Sequence, residues 1–182
     1  ELPAPPIPDA RVTYVAFVRE PVARARSAFE MYNGWKQGPP VVARSHRLSF
    51  EQLVAEDIKK ANDKCDWRHE IVCLGYYDVI LTDARRKLVL SRQLHVIISE
   101  CMARDTLTVY NAIQRIAGFP MSKHVDATRF TRASPRKTNA SSSLLRHHYI
   151  PHNERLFRML GARIPAWHGG NCDESILSLK MR

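Results

Sequence analysis

Residues 12–32 read VTYVAFVREPVARARSAFEMY, and Pro21 divides them into two kinds of structure. The run from Val12 to Val18 is β-branched and aromatic and carries no charge, which predicts a strand buried on both faces of a parallel sheet. Arg19 ends the run. Pro21 suits the first turn of a helix, where its missing N–H would have had no partner. From there Val22, Ala25, Phe29 and Tyr32 recur at helical spacing. A strand that delivers an arginine to the start of a helix makes an anion site, because the first N–H groups and the helix dipole add to the guanidinium charge. Ser27, two turns in, adds a hydroxyl donor if its face looks back toward Arg19.

Few classes of chain place strand and helix end to end in this way, and the rest of the sequence repeats the alternation. Residues 1–11 are proline-rich and predict an extended arm. Asn33-Gly34 closes the first helix, and Gly38-Pro39-Pro40 forbids its continuation. Ser49 and Gln52 make a capping box for a helix from Phe50 to about Ala61, and residues 62–69 read as a polar loop. Gly75-Tyr76-Tyr77 opens a helix whose apolar face is Tyr77, Ile80, Leu81, Ala84 and Leu88. Arg85, Arg86 and Lys87 lie mostly off that face and read as solvated. Residues 93–99, QLHVIIS, predict a second buried strand. Asp105 caps a helix over Thr106–Ala117, with Leu107, Tyr110, Ile113 and Ile116 as its stripe and Gly118 as its stop. The order predicts an α/β fold, a mostly parallel sheet flanked by helices.

Two further segments carry polar chemistry. Residues 121–143 set Lys123, Arg129, Arg132, Arg136 and Lys137 among Ser, Thr and Asn, as a basic surface loop does. Residues 144–167, LLRHHYIPHNERLFRMLGARIPAW, place Leu144, Leu145, His148 and Tyr149 on one face of a helix that Pro151 breaks or kinks, with Leu156, Phe157 and Leu160 resuming beyond it. His147, His148 and His152 have no acidic or cysteine partner at metal-ligand spacing, so they are expected to pack or hydrogen-bond at the helix break.

A net charge of +10 favours anionic partners such as nucleotide phosphates, a sulfated glycan, anionic lipid or nucleic acid. The basic residues are scattered and no nucleic-acid-binding signature occurs, which argues against nucleic acid. No apolar run is long enough to cross a membrane. Cys65, Cys73, Cys101 and Cys172 show no metal-ligand pattern. Cys65 and Cys73 are near enough in sequence to close a small loop, and four free buried thiols satisfy the pattern equally.

Arg19-Glu20-Pro21-Val22 through Ser27 resembles the 3′-phosphate-binding motif of sulfotransferases that use PAPS (3′-phosphoadenosine 5′-phosphosulfate), written R-[DN]-P-x-x-R-x-x-S, with Arg24 at its second arginine. The order of Gly75-Tyr76-Tyr77, residues 93–100, Asp105 and residues 116–119 is similar to the middle of that family's domain. The most specific likeness is residues 144–167, which resemble the family's C-terminal pattern and above all that of heparan sulfate N-sulfotransferases. The resemblance spans residues 12–167, with residues 168–182 as a tail, and implies the C-terminal portion of a P-loop-like sulfotransferase fold. It implies PAPS or its product PAP as cofactor, bound by Arg19, Ser27 and Arg24, with Arg132, Arg136 and Lys137 as phosphate contacts from a basic loop that folds over the nucleotide. Heparan sulfate-directed members often clamp that loop with a disulfide. With no cysteine between Cys101 and Cys172, such a clamp is expected to be missing here.

The family's K-x-G-T-[ST] loop, which holds the 5′-phosphosulfate, does not occur in this sequence, and the general base that follows it has no counterpart. Glu51, Glu56 and Glu70 stand in the wrong part of the order. Two expectations follow from the resemblance. One is transfer of a sulfuryl group from PAPS to a hydroxyl or amine of a carbohydrate-type acceptor, with the phosphosulfate loop on a preceding segment and a Golgi or secretory location. The other is a catalytically inactive, sulfotransferase-like accessory subunit of a larger, organellar assembly. Either way another chain or segment is expected to cover the flank of the sheet where the missing part belongs.

Overall fold

A computed structural model describes residues 13–60, 66, 68–87, 94–126, 141–172 and 179–180. The chain is mostly helical with a small sheet, in the α/β class, and divides into two compact units. One draws on residues 1–18, 85–131 and 164–182, the other on residues 19–84 and 132–163.

The first unit holds the sheet. Strand β1, Tyr14–Val18, lies parallel to β2, Leu94–Ile98, in the register Tyr14↔Leu94 to Val18↔Ile98. The parallel pairing matches the expectation from two β-branched runs separated by helices. A third strand, β3 (Leu179–Lys180), is antiparallel to β2, giving the order β1-β2-β3. The sheet therefore has one parallel and one antiparallel pairing. Burial on both faces, expected for the first strand, belongs instead to β2, where Val96, Ile97 and Ile98 are fully enclosed. In β1 Tyr14, Val15 and Ala16 are half-buried, Phe17 is 51% exposed and only Val18 is buried. The cause is position: β2 has a neighbour on each side, whereas among the described residues β1 pairs with β2 alone.

Directly after β2 the chain enters a short helix, α5 (Ser99–Arg104), which the β-branched run gave no reason to expect. Helix α6, Thr106–Ala117, starts where the Asp105 carboxylate accepts the Thr108 amide at 3.0 Å, and stops at Gly118, whose φ of 76° admits a residue without Cβ. Cys101 in α5 is bonded to Cys172, and the Arg104 guanidinium donates to the Gly170 carbonyl at 2.5 Å. None of the described cysteines is free. Of the alternatives left open for the cysteines, four free thiols is therefore excluded: Cys101 and Cys172 bridge each other across 71 residues.

The second unit is helical. It comprises α1 (Pro21–Asn33), α2 (Pro40–Arg47), α3 (Phe50–Lys60), a 3-10 turn at Cys73–Gly75, the start of α4 (Tyr77–Lys87) and α7 (Ser141–Leu160). Its core takes Val22 and Ala25 from α1, Val41 from α2, Leu53 from α3 and Tyr149 from α7. The capping box forms as expected, the Ser49 amide donating to Gln52 Oε1 at 2.9 Å and the Gln52 amide to Ser49 Oγ at 3.2 Å. Helix α2 was not expected. Pro40, read as a breaker, occupies the first turn, where a missing N–H costs nothing. Of the two outcomes expected at Pro151, a break or a kink, the break does not occur: α7 runs on through it. Gly75 lies so close to Tyr149 that an added Cβ would be 2.8 Å from the ring, and this approach lets the Tyr149 hydroxyl donate to the Val72 carbonyl at 2.7 Å.

Candidate functional site

The candidate anion site starts where β1 ends. Glu20 caps α1 with its own side chain, its two carboxylate oxygens accepting the amides of Val22 at 3.1 Å and Ala23 at 2.7 Å, while the Arg24 amide donates to the Glu20 carbonyl at 2.9 Å. Pro21 has no N–H to offer. The first turn of α1 is therefore already satisfied and already faces a negative charge. This corrects the expectation that helix-start amides and the dipole would add to an anion site. Any anion here is held by side chains.

Two such side chains are available. The backbone amide of Arg19 donates to the Tyr77 hydroxyl at 3.2 Å, which fixes the turn. Its guanidinium is half-buried and has no hydrogen-bond or ion-pair partner among the described residues. Ser27 is half-buried on α1 outside the inward stripe of Val22, Ala25, Ala28 and Tyr32, and its hydroxyl too is without a partner among the described residues.

The other arginines of this helix are engaged. Arg24 Nη2 donates to the Ile71 carbonyl at 2.7 Å, and its buried Nε makes no hydrogen bond. Arg26 lies 3.9 Å over the Phe50 ring and 3.6 Å from Glu51 Oε1. Arg132, Arg136 and Lys137 lie outside the described residues, as does Cys65.

Two polar clusters support this unit. In the first, Arg44 of α2 reaches three acceptors: Glu56 Oε2 at 2.9 Å, Asp57 Oδ1 at 2.9 Å and the His69 carbonyl. The Asp57 contact is an ion pair with an angle too poor for a hydrogen bond. Asp57, 1% exposed, also accepts the amides of Ile71 at 2.8 Å and Val72 at 3.4 Å through its other oxygen. Burial works against the charge of Arg44, but its bonds to Glu56 and Asp57 outweigh that and raise its pKa.

The second cluster joins α7 to the start of α4. His152 Nδ1 lies 2.8 Å from Asp78 Oδ1, Arg155 Nε donates to Asp78 Oδ2 at 2.5 Å, and Tyr76 Oη lies 2.7 Å from His148 Nε2. Burial raises the Asp78 carboxyl, but the hydrogen bonds and charges of His152 and Arg155 prevail and hold it below its ordinary value. The spacing within residues 144–167 singles out the histidines but not Asp78, which lies 74 positions before His152 on another helix. The available signal was that Leu145, Tyr149, His152 and Leu156 share the inward face of α7. Among the described residues no group of His, Cys, Asp or Glu is arranged to hold a metal ion, and no helix is long and apolar enough to cross a membrane.

No family model, no curated protein and no solved structure matches this chain.

Proposed function

We propose that this chain is a sulfotransferase-like domain carrying the 3′-phosphate half of a PAPS site. Its reaction is transfer of a sulfuryl group to a hydroxyl or amine of a carbohydrate-type acceptor, leaving PAP. The observation that supports this best is Arg19, half-buried, on a turn fixed by Tyr77, its guanidinium without a hydrogen-bond or ion-pair partner among the described residues. A charged group held in that state is favoured by an anion that accepts its hydrogen bonds. PAPS supplies the activated sulfuryl group. Arg19 and Ser27 grip the 3′-phosphate and so orient the nucleotide, with Arg132, Arg136 and Lys137 as further phosphate contacts by resemblance. The net charge of +10 suits an anionic glycan as acceptor. The Cys101–Cys172 bond suits an oxidising, secretory compartment.

A second reading, an inactive accessory subunit, is favoured by Glu20, whose carboxylate sits on the amides that would otherwise welcome a phosphate. On either reading the outer edge of β1, with Phe17 exposed, is where a strand from another segment or chain would pair.

Calorimetry distinguishes the two. Adenosine 3′,5′-bisphosphate is expected to bind more tightly than adenosine 5′-monophosphate. Arg19→Ala removes a charge-assisted bond worth about 1.5–3 kcal/mol, lowering affinity about ten- to a hundred-fold. No preference for the 3′-phosphate, or a preference that survives Arg19→Ala, puts the accessory subunit first.

A further inference from the structure

The cluster between α7 and the start of α4 includes none of the residues proposed to hold the nucleotide, and it is built as a chain of contacts. The His152 ring lies flat on Tyr76, with centroids 3.9 Å apart and planes within 4°. Tyr76 is 2% exposed and Asp78 4%. From Tyr76 the hydroxyl reaches His148, one helical turn before His152, with the two imidazole centroids 6.1 Å apart.

The direction of the Tyr76–His148 bond follows from acid strength. A phenol, with a pKa of about 10, is a better donor than a neutral imidazole N–H, and an imidazole nitrogen is a better acceptor than a phenol oxygen. Tyr76 therefore donates to an unprotonated Nε2, and the bond persists in this form only while His148 is neutral. Protonation makes Nε2 a donor, so the Tyr76 hydroxyl must turn its hydrogen away and accept instead, and the present bond is lost. It would also add a cation to a cluster whose single carboxylate, Asp78, already faces His152 and Arg155.

We propose that Tyr76, His148, His152 and Asp78 form a pH-operated latch, in which neutral His148 fastens α7 to the start of α4 and protonation of His148 releases it. The titratable and charged groups around the latch are Tyr76 and Asp78 on one side and His147, Tyr149, His152 and Arg155 from α7 on the other. Arg24 and Glu20 of α1 act on Tyr149. Burial first, and then the electrostatic effect of His152, holds His148 below the ordinary histidine value. The folded chain thus takes up this proton less readily than the unfolded chain. The latch contributes fully above about pH 6.5, weakens as pH falls below that, and contributes nothing below the lowered value of His148.

Tyr77, whose hydroxyl accepts the Arg19 amide, is the next residue after Tyr76. If the nucleotide reading holds, release of the latch also loosens the turn that presents Arg19. The test uses no nucleotide, so a chain that never binds adenosine 3′,5′-bisphosphate refutes that reading and leaves the latch to be judged separately.

The test combines NMR titration of the histidine rings with urea unfolding at about pH 8 and about pH 5, on either side of the ordinary histidine value of ~6.5. His148 is expected to titrate below that value. His148→Gln, whose amide oxygen accepts from Tyr76 at both pH values, should lose less stability on acidification than the wild type, whereas His147→Gln, at the exposed neighbour, should lose as much. Tyr76→Phe removes the donor to the neutral ring, so the His148 titration should move upward. Titration of wild-type His148 at or above the ordinary value overturns the latch, as does an acid loss unchanged by His148→Gln. Should His148→Gln fail to fold, an unmoved titration in Tyr76→Phe overturns it alone.

Discussion

Arg44 and Arg19 stand in the same helical unit, and their guanidinium groups are in opposite conditions. Arg44 meets Glu56, Asp57 and the His69 carbonyl, and through Asp57 it ties α2 and α3 to the backbone at Ile71 and Val72. Arg19 meets nothing among the described residues, although its backbone is held by Tyr77. A buried pair shows where the fold depends on charge, since removing one partner strands the other. A half-buried cation with no partner among the described residues is, on the proposed function, the one an anionic ligand would use. Arg24 belongs with Arg44, because its Nη2 is committed to the Ile71 carbonyl.

The contrast breaks most sharply at Asp57. Asp57→Ala takes from Arg44 its buried ion-pair partner, leaving it Glu56 and the His69 carbonyl, strips two buried amides of their acceptor, and should cost about 3–5 kcal/mol in urea unfolding. A loss under about 1 kcal/mol, the range of a surface pair, would put Arg44 in the same class as Arg19. Arg24→Met should cost about 1.5–3 kcal/mol of stability through the lost charged bond to Ile71. Ser27→Ala should leave unfolding unchanged and weaken adenosine 3′,5′-bisphosphate binding by about 1 kcal/mol, less than Arg19→Ala does. A small expected effect is the most telling: Arg19→Ala should shift stability within about 0.5 kcal/mol, as substitutions away from structural contacts do. A larger loss would make Arg19 a structural arginine after all.

What the sequence allowed to be read was local. The Ser49–Gln52 box, the Asp105 cap and the Gly118 stop are each decided by a few neighbouring residues, and each stands where expected. The parallel pairing of β1 and β2 followed from pattern and order. Burial did not, because it depends on neighbours that pattern cannot name: Phe17 is exposed on an edge strand, and Leu107 and Leu144, placed on apolar stripes, are 37% and 49% exposed. In the candidate site, Arg19 and Ser27 could be singled out by type and spacing. The capping role of Glu20 is not legible there, because a glutamate before a proline has the look of a turn residue and nothing in its spacing marks it as the acceptor for the amides that follow. The Arg44–Asp57 and Asp78–His152 pairs join residues on different helices, so no spacing within one segment announces them.

The Cys101–Cys172 bridge has a consequence for the order in which the molecule is made. The bond joins residues 71 positions apart, so at about 5–20 residues per second of synthesis Cys101 waits roughly 4–14 s for its partner. During that interval Cys101 is a thiol, and Cys73, already synthesised and itself destined for a disulfide, is a competing partner. The stretch that carries β3 follows Cys172, so the unit that begins with the chain's first strand is completed only by its last. Should the early pairing be the wrong one, thiol-disulfide exchange must undo it, and an exchange catalyst should then speed the appearance of the finished chain.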